Sequence, residues 1–173
     1  MGGQVIDKRA FSVRPVKNSS ILRTIGQDLE SRDIKAFVIT REVDRLVVKG
    51  SYQNPPSPTP INLDYSLGEI DELDLQRGEK REEIPPSGDF FTLAQTLRAI
   101  GGYIDKKGGR LLRISNNDSA RGEFFFRIEY ESAEGSRIID DRDGSAIYDI
   151  CVSMYKLRGK ARRAGAVFGR GRR

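Results

Sequence analysis

The chain has 173 residues, 37% hydrophobic and 32% charged, with no Trp, no His and a single Cys. That length accommodates one domain or two small ones, and the missing histidine removes the commonest general base and metal ligand, so Ser-His-Asp and Cys-His catalysis and ordinary zinc sites are excluded. Cys151 has no partner for an internal disulfide, and the opening MGGQVIDKRA carries neither an apolar signal core nor a spanning segment, so a soluble, cytoplasmic protein without a membrane partner is expected.

The predicted elements begin with a helix. Asn18 to Ser20 offer N-caps, and Ile21, Leu22, Ile25 and Leu29 form an apolar stripe at helical spacing that ends near Ser31. Two strand-like runs follow, Lys35 to Arg41 and Leu46 to Tyr52, then a proline-rich loop, QNPPSPTP, and a short strand at Ile61 to Tyr65. Ser66 with Glu69 makes a capping box for a closing helix. Pro85 and Pro86 separate this set from a second. There Thr92 with Gln95 caps a helix whose stripe is Leu93, Leu97, Ile100 and Ile104, and Lys106 to Gly109 stops it. Strands are expected at Arg110 to Ser115, Glu123 to Glu131 and Ser136 to Asp140. Asp143 or Ser145 then caps a helix with Ile147, Ile150, Cys151, Met154 and Leu157 on its apolar side.

Both sets read α-β-β-β-α, and their sequences correspond. ILRTIGQDLESRDIKAFVI from Ile21 lies over TLRAIGGYIDKKGGRLLRI from Thr96 at an offset of 75, matching Leu22, Arg23, Ile25 and Gly26 to Leu97, Arg98, Ile100 and Gly101. LVVKGSY from Leu46 lies over FFFRIEY from Phe124, with Tyr52 on Tyr130. The expected fold is therefore α+β, two tandem repeats related by a pseudo-twofold, with antiparallel sheets and the helices on one face. Residues 1–81 form the first repeat, 82–158 the second, and 159–173 a flexible basic tail.

Charge is divided unevenly along the chain. Residues 1–81 hold 13 Lys and Arg against 12 Asp and Glu, residues 82–155 hold 9 against 13, and residues 156–173 hold 8 against none. A slightly acidic body thus carries a wholly basic end, a pattern that points to nucleic acid. In that end Arg158, Lys160, Arg162, Arg163, Arg170, Arg172 and Arg173 are spaced by glycines, which do not hold a helix. Their guanidinium forks match phosphate oxygens and stack on bases, and Phe168 adds a stacking contact. On the body, Lys106, Lys107 and Arg110, with Arg113, would extend the basic path beside the second repeat's first helix.

The α-β-β-β-α order resembles that of double-stranded-RNA-binding domains, in which a helix pair packs on a three-stranded sheet. The resemblance covers topology only. That family grips phosphates with a basic start to its last helix, whereas the corresponding starts here are SLGEIDELD from Ser66 and DGSAIYDIC from Asp143, whose acids suit a helix N-terminus but repel RNA.

Asp140, Asp141 and Asp143 offer clustered oxygens for a hard cation, but Arg142 stands among them and the spacing is not that of an EF-hand, so helix capping is the better account. A metal-dependent enzyme through these three is the third reading. No Walker loop, dinucleotide fingerprint or GxSxG elbow occurs, and no cofactor or metal is expected. The sequence points to a non-catalytic nucleic-acid-binding module. The alternative is an assembly or protein-interaction subunit that self-associates through its sheets or helices, in which exposed sheet edges or the strands of Val47, Val48 and Phe124 to Phe126 pair with another chain.

Overall fold

The computed structural model describes residues 16–52, 59–77, 91–118 and 124–155. The element order is α1 (Asn18–Ser31), β1 (Ile34–Arg41), β2 (Arg45–Tyr52), β3 (Thr59–Ser66), α2 (Leu67–Arg77), α3 (Leu93–Lys106), β4 (Arg110–Asp118), β5 (Phe124–Glu131), β6 (Arg137–Asp143) and α4 (144–155). The fold is α+β, as expected, with four helices and six strands among the described residues. The three-stranded sets are not separate sheets. They join as one antiparallel sheet in the order β3-β2-β1-β4-β5-β6.

The join between them is short. Only Val38–Ser115, Ile39–Ile114 and Thr40–Arg113 face each other across β1 and β4, centred on the isoleucine pair. Alternation along each strand turns Phe37, Ile39, Leu46, Val48, Tyr65, Ile114, Phe126 and Ile128 to one side, where they are buried in one core with the helical stripes. The other side of the sheet carries Thr40, Lys49, Arg113 and Arg127, all exposed. β2 and β5 are interior strands, each paired on both sides, and Val48 and Phe126 are core residues. The expectation that these strands pair with another chain is corrected, because their backbone hydrogen-bonding groups are already used. The edges of the sheet are β3 and β6.

The stripe of α1 is buried as predicted, Ile21, Leu22, Ile25 and Leu29 being fully inaccessible. Its cap differs. The N-cap residue is Lys17 with no side-chain bond, and the Asn18 and Ser19 amides instead donate to the Asp105 carboxylate of α3, at 2.9 and 3.1 Å. Asn18 is turned inward, donating through Nδ2 to Asp105 and the Gly109 carbonyl and accepting from the Leu111 amide. Helix α3 has the predicted Thr92–Gln95 capping box, and Glu30 of α1 also accepts from its Ala94 amide at 2.8 Å. Each helix therefore ends in a carboxylate that caps the start of the other, satisfying orphan N–H groups and complementing the dipole.

This exchange requires close approach. A β-carbon at Gly26 would stand 2.8 Å from Ala94 Cα, and one at Gly101 would stand 2.5 Å from both the Asn18 carbonyl oxygen and Ser19 Cα. Backbone obstructs both positions. Gly101→Ala should cost about 2–3 kcal/mol through overpacking, despite the usual gain of helix propensity from Gly to Ala. Gly68→Ala in α2, where the nearest atom is Ser66 Oγ at 4.0 Å, should instead gain about 0.5 kcal/mol. Urea denaturation of the two variants checks both signs, and an unchanged midpoint for Gly101→Ala would refute the packing account.

Candidate functional site

Tyr103 on α3 organises the polar groups beside β6. Its hydroxyl donates to Asp140 at 2.9 Å and accepts from Arg142 at 2.9 Å, while Arg142 also grips Asp140 with a two-pronged contact at 2.8 and 3.0 Å. The Lys107 ammonium sits 4.6 Å from the Tyr103 ring centroid and 6.0 Å from that of Tyr130. Contact with Tyr103 holds the Lys107 pKa above its ordinary value. Burial pushes Asp140 upward, but the bonds from Arg142 and Tyr103 outweigh it, and the carboxyl lies below its usual range.

The body cations expected to form one basic path are thus separated. Lys106 lines a groove of about 320 Å³ between α3 and α4, with Tyr103, Arg142, Asp149 and Met154. Lys107 is engaged by aromatic faces, and Arg110 lies 3.6 Å from Glu131. Arg113 is on the opposite side of the sheet, across from Glu129. Strand alternation explains the split, because Arg110 and Arg113 flank the irregularity between Leu111 and Arg113 and do not continue the helix surface.

Elsewhere on that side of the sheet the arginines are neutralised locally. Arg45 bonds Asp64 at 3.0 Å, Arg127 takes both oxygens of Asp141 at 2.8 and 3.0 Å, and Arg137 pairs with the buried Glu129. Asp140, Asp141 and Asp143 do not converge. Asp140 faces Tyr103 and Arg142, Asp141 faces Arg127, and Asp143 accepts from the Ala146 amide at 2.8 Å as the cap of α4. The capping role read from the sequence holds, as does that of Ser66 with Glu69. Among the described residues no group of three acidic, Cys or His side chains is placed to hold a metal ion, and no helix is long and apolar enough to cross a membrane.

A cleft of about 510 Å³ opens where α3 and α4 meet the ends of β4 and β5, lined by Phe91, Leu93, Phe126, Ile147, Tyr148 and Cys151 with Lys35, Thr96 and Asn116 at its polar positions. Burial pushes the Cys151 thiol up to about 11, so it is protonated at neutral pH and a poor nucleophile. Arg158, Lys160, Arg162, Arg163, Phe168, Arg170, Arg172 and Arg173 lie outside the described residues.

Sequence reading passed over Tyr103 and Arg41 and used Arg142 only as an argument against a cation among the aspartates. A signal existed for Arg41, since it continues the inward side of β1 after Phe37 and Ile39. Comparison with protein-family models, with curated proteins and with solved structures finds no match to this chain.

Replacing Asp140 by Asn should cost about 1–2 kcal/mol at pH 7, through lost charge-assisted bonds. Because its folded pKa is depressed, this stability is present above the unfolded value near 4 and is lost as pH falls through the folded one. The difference between parent and D140N should therefore shrink as pH falls below the unfolded value. Denaturant midpoints measured across pH check this, and a difference that persists undiminished in acid would contradict it.

Proposed function

We propose that this chain is a non-catalytic nucleic-acid-binding module that contacts phosphates through its Arg/Gly-rich C-terminal segment, carried on a body made by tandem duplication of an α-β-β-β-α unit. The carrying observation is the charge division: residues 156–173 hold eight basic residues and no acid. The arrangement of the body supports the reading, because its exposed arginines Arg45, Arg127 and Arg137 already hold carboxylates. Phosphate contacts give affinity without sequence readout, and glycine-spaced arginines add stacking on unpaired bases.

The duplication rests on equivalent positions. Gly26 and Gly101, Glu30 and Asp105, the left-handed Asp33 and Gly108, and the central pair Ile39 and Ile114 are each separated by 75 residues. Ile39 and Ile114 facing each other is the register that a twofold through the seam demands. Strand pairing corrects one alignment detail. Val48 opposes Ile39 as Ile128 opposes Ile114, an offset of 80, so Leu46 corresponds to Phe126 and not to Phe124. Superposing 18–77 on 93–155 in an experimental structure should overlay both helices and all three strands together, and different strand orders would end the duplication claim.

A second reading, assembly, is favoured by the sheet edges. β3 and β6 each end the sheet, and Ile139 of β6 is 56% exposed. Light scattering separates the two readings, since a stable oligomer indifferent to nucleic acid would favour assembly.

The decisive experiment ends the chain after Leu157, which removes seven basic residues and moves the formal net charge from +5 to −2. Oligonucleotide affinity by fluorescence anisotropy should fall sharply. For five to seven neutralised phosphates, the parent's log-log salt slope should be about −3.5 to −6. Replacing the arginines by lysines should keep most of that slope while weakening preference for single strands. Equal affinity and slope for full-length and shortened proteins would defeat the proposal.

A further inference from the structure

We infer that β6 is a self-pairing edge, at which two copies of this chain join β6 to β6 in antiparallel register centred on Ile139 and run their sheets into one. The inference rests on the assembly reading and names its partner and its register. Of the two edges, β6 is the open one. Among the described residues no strand lies beyond β3 or β6. Pro60 stands within β3, however, and a proline on an edge strand offers no N–H to a further chain. β6, Arg137–Asp143, has neither a proline nor a lysine to blunt it.

The sequence of β6 selects the register. A twofold axis normal to the sheet keeps every side chain on its own side, so the strand pairs about one of its own residues, which then faces its copy. Centring on Arg137, Asp140, Asp141, Arg142 or Asp143 sets like charges opposite each other, which is destabilising. Only the two isoleucines avoid this. Centring on Ile138 sets Arg137 against Ile139. Centring on Ile139 sets Arg137 against Asp141 twice, with Ile139, 56% exposed on the side away from the helices, against its own copy between them. The neighbouring strands already fit that register. Arg127 faces Asp141 and bonds both its oxygens at 2.8 and 3.0 Å, while Glu131 faces Arg137 and lies 3.6 Å from Arg110. Joining the copies produces the row Arg127, Asp141, Arg137, Glu131, Arg110, the first two from one copy and the last three from the other. Cations and carboxylates alternate throughout, and the twofold repeats the row. No existing bond has to break, because the Arg137 and Asp141 side chains are 64% and 40% exposed. A guanidinium has donors, and a carboxylate lone pairs, for more than one partner.

The test uses the full chain without nucleic acid, followed by sedimentation velocity across a range of concentrations. A dimer that dissociates on dilution is expected. Ile139→Lys should keep the fold, since the lysine would stand opposite Glu129, but it sets two ammonium groups face to face across the twofold. It should weaken the dimer at least about tenfold, with circular dichroism matching the parent's. Ile139→Cys should lock the dimer as a disulfide under mild oxidation. The parent, whose Cys151 is buried, and Asn62→Cys on the exposed face of β3 should not. A dimer that Ile139→Lys leaves unchanged and Ile139→Cys does not lock overturns the β6 interface while self-association stands. Locking by Asn62→Cys as readily as by Ile139→Cys overturns the choice of edge. A parent that is monomeric at every concentration overturns self-pairing and the assembly reading together.

Discussion

The contact that the rest of the structure depends on is the close crossing of α1 and α3. Gly26 and Gly101 each abut backbone of the partner helix, and nothing larger fits without moving a helix. At that separation the Asp105 carboxylate reaches the first amides of α1 and Glu30 reaches the first turn of α3. Each such contact is worth about 0.3–1 kcal/mol at a surface and up to about 2 when partly buried. Each helix then passes into its first strand through a tight turn with a left-handed residue, Asp33 in one case and Gly108 in the other. Where the helices cross, their strands must meet, so β1 lies beside β4 and two three-stranded sets become one sheet.

That chain of causes explains what was legible in the sequence. Helical stripes, the Thr92–Gln95 and Ser66–Glu69 boxes, the Asp143 cap and the succession of helices and strands along the chain are local signals carried by neighbouring residues, and the structure bears them out. The cap of α1 was not legible, because Asp105 lies 87 residues from Asn18. On the proposed duplication, aligning FFFRIEY on LVVKGSY sets β5 two residues away from the strand pairing, for an equally physical reason. A shift of two keeps every side chain on its own side of the sheet, so apolar alternation cannot detect it, whereas a shift of one would have exposed the core. The union of the sheets was likewise invisible, since nothing in β1 or β4 alone specifies its partner.

The electrostatic layout was half legible. Counting charges located the basic end of the chain but could not tell that Lys106, Lys107, Arg110 and Arg113 would be divided between a helix groove, two aromatic rings, a neighbouring glutamate and the far side of the sheet. Proximity in sequence across a helix-to-strand turn does not mean proximity on one surface. The carboxylates at 140, 141 and 143 show the same rule, because alternation along β6 sends consecutive members to opposite sides and the last to a helix start.

On the proposed duplication, the positions that stay alike are those where backbone geometry leaves little choice: the two glycines, the two terminal carboxylates and the central isoleucines. The positions that differ are side chains with room to change. Tyr65 of β3 donates to Asp28 of α1, whereas the corresponding Arg142 of β6 donates to Tyr103 of α3 and holds Asp140. Asn116 closes its end of the seam with satisfied bonds, whereas Arg41 brings a cation with a donor to spare. The two ends of the seam thus differ in their side chains, while the helix crossing and the central strand register are alike in both halves.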